Sequence, residues 1–168
     1  MSIAGEPANA LRLGHSIGCD TIQIFTRSPN RWAGMPLTEE QIATFHRTRS
    51  ETGIDPVVAH SAYLINLATP KQELWTRSAE AAIKEVQRCA LLGVSDYIIH
   101  PGAHTGSGEM AGLSRIAQGL DAVCQATPDT EVRILLETTS GAGTHLGYRF
   151  EHLAWLIEHV RVADRLGV

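Results

Sequence analysis

A chain of 168 residues with 43% hydrophobic and 19% charged residues can bury one sizeable core, and this balance excludes a disordered or fibrous polymer. The formal charge of -4 does not advertise a nucleic-acid binder, which normally shows a basic stripe, so any contact with nucleic acid must be local. No apolar run approaches the roughly 18 residues that a membrane span needs, and the N-terminus lacks the basic patch and apolar core of a secretory signal, so a cytoplasmic protein without membrane association is expected.

In chain order, a helix is expected over Ala8–Ser16, ending near Gly18, followed by a short strand at residues 21–25 (TIQIF). Thr38 and Gln41 have the spacing of a capping box, which opens a helix running to about Gly53. Val57–His60 reads as a strand. Thr69, with Pro70 at the first helical position and Gln72 at the third, predicts the start of a long helix that stops at Gly93. Leu74, Ala81, Ala82, Val86 and Ala90 would form its apolar stripe. Residues 97–100 are the next strand, Glu109–Ala126 the next helix, residues 132–137 (VRILLE) the next strand, and residues 149–159 the last helix.

This regular alternation indicates βα units and a parallel sheet. The strands are apolar on both sides and are never joined by hairpin turns, so both sheet faces should be covered, as in a barrel or a doubly wound sheet. Leu92-Gly93-Val94 closes a helix, and Leu166-Gly167-Val168 reads as the same closure just where another strand would begin. At the other end, Met1 to Gly5 enter a helix with no strand before it, so both ends read as cut.

Three strands end in a potential metal ligand: His60 after PVVA, His100 after DYII and Glu137 after RILL. In a parallel barrel the C-terminal ends of all strands face one side, so groups placed there converge although they are distant in sequence. Imidazole nitrogen and carboxylate oxygen are ligands that zinc prefers. A lone strand-end histidine is more often a hydrogen-bonded structural residue. A glutamate after three apolar residues needs a cation or several donors, and the coincidence of all three favours a metal site. Cys19, Cys89 and Cys124 are odd in number, widely spaced and set in apolar helical surroundings, so they read as inert thiols. His15, His46, His152 and His159 fall on helices and read as surface or packing residues. The Gly141-Ala142-Gly143 loop lacks the lysine and spacing of a phosphate-binding loop and reads as a tight turn.

HSAYLINLA at the first ligand, IHPGAH at the second and LETTSGAGTHLGYRFEHLA at the third resemble signatures of the endonuclease IV (deoxyribonuclease IV) family, in that order and at about its spacing. FTRSPNRW resembles its DNA-contacting segment, and the likeness covers essentially all of the chain. The resemblance implies a xylose isomerase-like (β/α)8 barrel, here a single incomplete domain over residues 1–168 with about four complete βα units. It also implies three zinc ions, cleavage of the phosphodiester 5′ to abasic sites in double-stranded DNA, and no protein partner. By matching positions, His60 and His100 would hold one zinc and Glu137, the catalytic carboxylate, would bridge it to a second. Tyr63 matches a residue that enters the DNA, although a tyrosine packed on the barrel rim fits the residues equally well. Asn30 falls on the family's DNA-inserting arginine, with Arg31 one residue along. Arg27 and Arg31 are candidate phosphate contacts, and His104 supports the ligands from behind.

The family's remaining ligands come from later strands, so these residues complete one zinc at most, with half of a bridged pair. Glu6-Pro7 stands where the family has a glycine-rich turn. Four complete strands cannot close a barrel, so the isolated chain is expected to have open edges and no nuclease activity. Two rival readings are a metal-dependent sugar isomerase or epimerase of the same barrel type, which gathers similar ligands at strand ends, and a non-catalytic remnant, for which the missing ends speak.

Overall fold

The expected strand runs are short, and each is followed by a loop before the next helix. In a computed structural model describing residues 1–168 they form β1 (Ile22–Phe25), β2 (Val57–His60), β3 (Asp96–Ile99) and β5 (Arg133–Leu136). Together with β7 (Leu166–Gly167) they make one parallel sheet in the order β1-β2-β3-β5-β7. The intervening helices are α1 (Ala8–Ser16), α2 (Glu39–Thr52), α3 (Gln72–Leu91), α4 (Glu109–Ala126) and α5 (Phe150–His159). A second sheet of two residues per strand pairs β4 (Gly102–Ala103) antiparallel with β6 (His145–Leu146).

The register explains which face is buried. Ile24, Ala59, Tyr97 and Ile134 lie in one row across the sheet, and all four are almost completely buried in the core. The period of two sends the next row, Phe25, His60, Ile98 and Leu135, to the opposite face. On that inner face Gln23 is exposed and Phe25, Val58, Ile98 and Leu135 are only half-buried. Only one side of the sheet is therefore closed, against the expectation that both would be covered, because the apolar strand residues on the other side line an open concavity.

The helix ends show where local sequence decides and where packing overrides it. Thr38 and Gln41 form the expected box: the Thr38 hydroxyl accepts from the Gln41 N–H at 3.2 Å, and Gln41 Oε1 accepts from the Thr38 N–H at 3.1 Å. Gly53 ends α2 with φ of 70°, a left-handed turn natural to glycine. The box expected at Thr69 does not form. Arg115 of α4 donates to the Thr69 carbonyl and to Gln72 Oε1, so Lys71 becomes the cap without a side-chain bond. The buried stripe of α3 runs through Ala81, Ala82, Glu85, Val86 and Cys89, with Ala90 exposed and Leu74 half-buried. Residues 166–167, read as a helix closure, are instead a strand on β5; a 3-10 turn at Ala163–Arg165 separates them from α5. No helix is long and apolar enough to cross a membrane.

Candidate metal centre

β2, β3 and β5 are parallel, so their C-terminal ends emerge on one side. His60 is the last residue of β2, and His100 and Glu137 directly follow β3 and β5. His60 shares the inner row with Ile98 and Leu135, and two residues further along their strands His100 and Glu137 face the same way. Glu137 Oε2 lies 2.9 Å from His60 Nε2 and 3.0 Å from His100 Nε2. The two imidazoles stand nearly perpendicular with centroids 5.0 Å apart. Of all the His, Cys, Asp and Glu side chains, these three form the one group whose ligand atoms lie mutually within 4.8 Å.

Hydrogen bonding around His60 bears on what belongs between these atoms. His60 Nδ1 is 2.7 Å from the Ser61 carbonyl oxygen. A carbonyl can only accept, so Nδ1 carries a proton, and in the neutral ring Nε2 then presents a bare lone pair to the carboxylate. Two acceptors 2.9 Å apart repel unless a proton or a metal cation lies between them. Zinc takes such ligands at about 2.0–2.2 Å, which in a tetrahedral shell separates neighbouring ligand atoms by about 3.3–3.6 Å, so a small outward movement from the 2.9 and 3.0 Å contacts would admit the ion. The donor set thus fits a divalent cation. Burial holds His100 below the ordinary imidazole range, against the upward pull of Glu137, which favours the neutral ring that a metal requires.

Around these three residues, Phe25 meets His60 edge-on at 5.6 Å, and Tyr63 lies 5.3 Å from Phe25 and 5.9 Å from His60. His60 is buried while Tyr63 is 62% exposed, so the tyrosine stands on the rim beside the centre with its ring open to solvent. Asn30 and Arg31 are exposed in the loop after β1. Arg27 is not available to a phosphate. Its side chain is buried 2.6 Å from Glu85, and its other nitrogen donates to the Arg31 carbonyl, which corrects the expectation from sequence. His104 makes no hydrogen bond to the ligands. Its Nδ1 accepts from the Gly106 and Gly108 N–H groups, shaping the turn into α4. Gly141 and Gly143 have φ of 71° and 63°, the tight turn expected after Glu137, and a Cβ on Gly141 would lie 2.7 Å from the Tyr148 ring. Cys89 and Cys124 are buried and Cys19 is half-buried. Of the helical histidines, His152 is buried and accepts from the Gly147 N–H, whereas His15, His46 and His159 are exposed.

Sequence reasoning missed the buried group behind the site. Glu85 of α3 accepts from the Ala62 N–H at 3.2 Å and the Tyr97 hydroxyl at 2.6 Å, besides pairing with Arg27. The Arg27–Glu85 contact lacks hydrogen-bond geometry, so charge rather than direction holds it. Arg88, on the same helix, donates twice to the Thr26 carbonyl and once to that of Met35. One helix therefore anchors the loops after β1 and β2. The legible signal was a glutamate placed between Ala81 and Cys89 on the apolar face of α3.

Residues 11–168 match the family model described as xylose isomerase-like TIM barrel. The chain is 46% identical over its whole length to a probable endonuclease 4 of Chloroflexus aurantiacus, of which it spans 59%. The fold superposes on endonuclease IV from Thermus thermophilus with a TM-score of 0.84 at 31% identity, covering 95% of this chain and 58% of that one. A D-psicose 3-epimerase from Clostridium cellulolyticum superposes with a TM-score of 0.74 at 15% identity over 98% of this chain and 57% of that one, a likeness of fold alone.

Proposed function

We propose that this chain, which belongs to the xylose isomerase-like TIM barrel family, carries metal-binding strands of a zinc-dependent DNA-repair endonuclease that cleaves the phosphodiester 5′ to abasic sites. The observation that carries the reading is the convergence of His60 Nε2 and His100 Nε2 on one Glu137 carboxylate oxygen, at 2.9 and 3.0 Å, in the one group of side chains placed to hold a cation. Similarity to probable endonuclease 4 over the whole chain supports DNA as the substrate.

His60, His100 and Glu137 would hold the cation. When bound, it supplies Lewis-acid charge to a phosphate oxygen, in a protein whose net charge of -4 otherwise repels DNA. The Ser61 carbonyl keeps the His60 ring in the tautomer that offers Nε2. Glu137 presents its carboxylate toward the centre, within 3.0 Å of both imidazoles, where we place its catalytic role. Tyr63 offers an exposed aromatic ring at the rim, suited to stacking on an unpaired base or lining the gap left by a lost one. Asn30 and Arg31, exposed on the loop that Arg27 braces, are proposed to contact the DNA.

These ligands complete one cation, whereas the proposed reaction uses three. The 168-residue chain by itself is therefore proposed to bind metal without incising DNA. Elemental analysis of the purified chain should find about one zinc per molecule, lost in His60→Ala. Incision of duplex DNA at an abasic site should appear only when the remaining ligands are supplied by a full-length relative's later strands. Absence of bound metal in the unaltered chain, or epimerisation of a ketose without affinity for DNA, would overturn the reading.

A further inference from the structure

The three candidate ligands sit at strand ends, where backbone order gives way to loops, so something must hold those loops in register. Asn66, in the loop after β2, has contacts suited to that task. Its Nδ2 donates to the Ala103 carbonyl at 2.9 Å, and its Oδ1 accepts from the Ala103 N–H at 3.0 Å. One side-chain amide thus satisfies both backbone groups of one residue, as a neighbouring strand would. The same Oδ1 accepts from the Ala68 N–H at 3.0 Å, and the Asn66 N–H donates to the buried Ser78 hydroxyl of α3 at 3.1 Å.

On its other edge the Ala103 segment is β4, paired with β6, and the next residue, His104, donates to the Thr144 carbonyl at 3.0 Å. The chain of bonds therefore runs from the loop after His60, through Asn66, to the loop after His100, and on to the loop after Glu137. Thr139 closes it, its N–H donating to the Gly147 carbonyl at 3.2 Å and its hydroxyl to the Leu146 carbonyl at 3.0 Å. Gly102 completes the fit: its φ is 125°, and a Cβ there would lie 2.6 Å from Asn66 Oδ1.

We propose that Asn66 is a positioning residue for the metal centre, its carboxamide acting as a surrogate strand that locks the His60 loop to the His100 loop. Asn66 contacts none of the three ligands and acts through the backbone of Ala103. The proposal rests on the metal reading above, and its test separates the two.

Cobalt(II) binding to the whole chain, followed by visible absorption, is compared among the unaltered protein, Asn66→Ala, Asn66→Asp and Ser78→Ala. In the metal-free proteins the nuclear Overhauser contact between the His60 and His100 rings, 5.0 Å apart, is measured in parallel. Asn66→Ala strands both groups of Ala103, and Asn66→Asp keeps the acceptor while setting an oxygen against the Ala103 carbonyl. Each should weaken cobalt binding about 10–100-fold, the range seen when groups that orient ligands are removed. Each should also lose the ring contact and change the absorption spectrum. Ser78→Ala removes a bond to the same residue without touching Ala103 and should leave affinity and spectrum unchanged. Should Asn66→Ala fail to fold, Asn66→Asp decides. Unaltered cobalt affinity in the folded Asn66 variants overturns the proposal, as does an equal loss in Ser78→Ala. If the unaltered protein binds no cobalt, the metal reading falls alone. The ring contact then decides: its loss in the Asn66 variants upholds the positioning role, and its persistence overturns it.

Discussion

Replacing Glu85 with leucine tests whether α3 organises the loops under the site. The Arg27 and Glu85 side chains are 5% and 2% exposed, so the variant leaves a guanidinium buried without a counter-charge. It also strips the acceptor from the Ala62 N–H and the Tyr97 hydroxyl. Breaking a buried pair from one side costs about 3–5 kcal/mol, and each stranded donor adds on the order of 1 kcal/mol without strict additivity. A domain's whole stability is about 5–15 kcal/mol, so Glu85→Leu should sit near the edge of folding. In urea, with a slope of about 2 kcal/mol per molar, the midpoint should fall by roughly 1.5–3.5 M. The loss comes from the stranded partners and not from any benefit of the glutamate charge, since burial disfavours that charge. The double variant Arg27→Met, Glu85→Gln removes both charges and keeps an acceptor for Ala62 and Tyr97, so it should regain most of the midpoint. A Glu85→Leu midpoint close to that of the unaltered chain, or a double variant no better than the single, would refute this reasoning.

Three further outcomes are expected. Burial raises the Glu85 carboxyl above its ordinary value of 4.5, against Tyr97, Arg27 and Ala62, which lower it. Between pH 4.5 and its native value, the folded form therefore holds a proton that the unfolded form has released. Its contribution is fully present below pH 4.5 and is lost as pH rises through the native value, so Glu85→Gln should flatten the fall in stability over that window in pH-dependent unfolding. Thr38→Ala removes the α2 cap and should cost about 1 kcal/mol, seen calorimetrically as a melting point lower by about 2–4 °C. Gly102→Ala combines strain at φ of 125° with a clash against Asn66, and should cost about 1–3 kcal/mol by chemical denaturation.

Much of the architecture was legible because the strand and helix signals were local. Val57–His60 and Glu109–Ala126 occupy the expected residues, since apolar alternation and a clean glycine boundary mark them without help from elsewhere. The convergence of His60, His100 and Glu137 was legible for a related reason: each ends or directly follows an apolar strand, and parallel topology alone brings such ends together. What escaped depended on partners distant in sequence. The N-terminus of α3 was misread because Arg115 claims Thr69 and Gln72, and Arg27 was read as a DNA contact because Glu85 lies on a helix far along the chain. β4 and β6 are only two residues each, too short for a periodic signal, yet they tie two of the ligand loops together. Asn66 stood inside a motif, but its pairing with Ala103 belongs to the folded backbone.

Zinc K-edge X-ray absorption on the 168-residue chain with one equivalent of zinc examines the centre most directly. The account predicts a first shell of nitrogen and oxygen only, at about 2.0–2.2 Å, with multiple-scattering features of two imidazoles that diminish in His100→Ala. A shell containing sulfur at about 2.3 Å, drawn from the cysteines, or a spectrum of fully hydrated zinc, would contradict it.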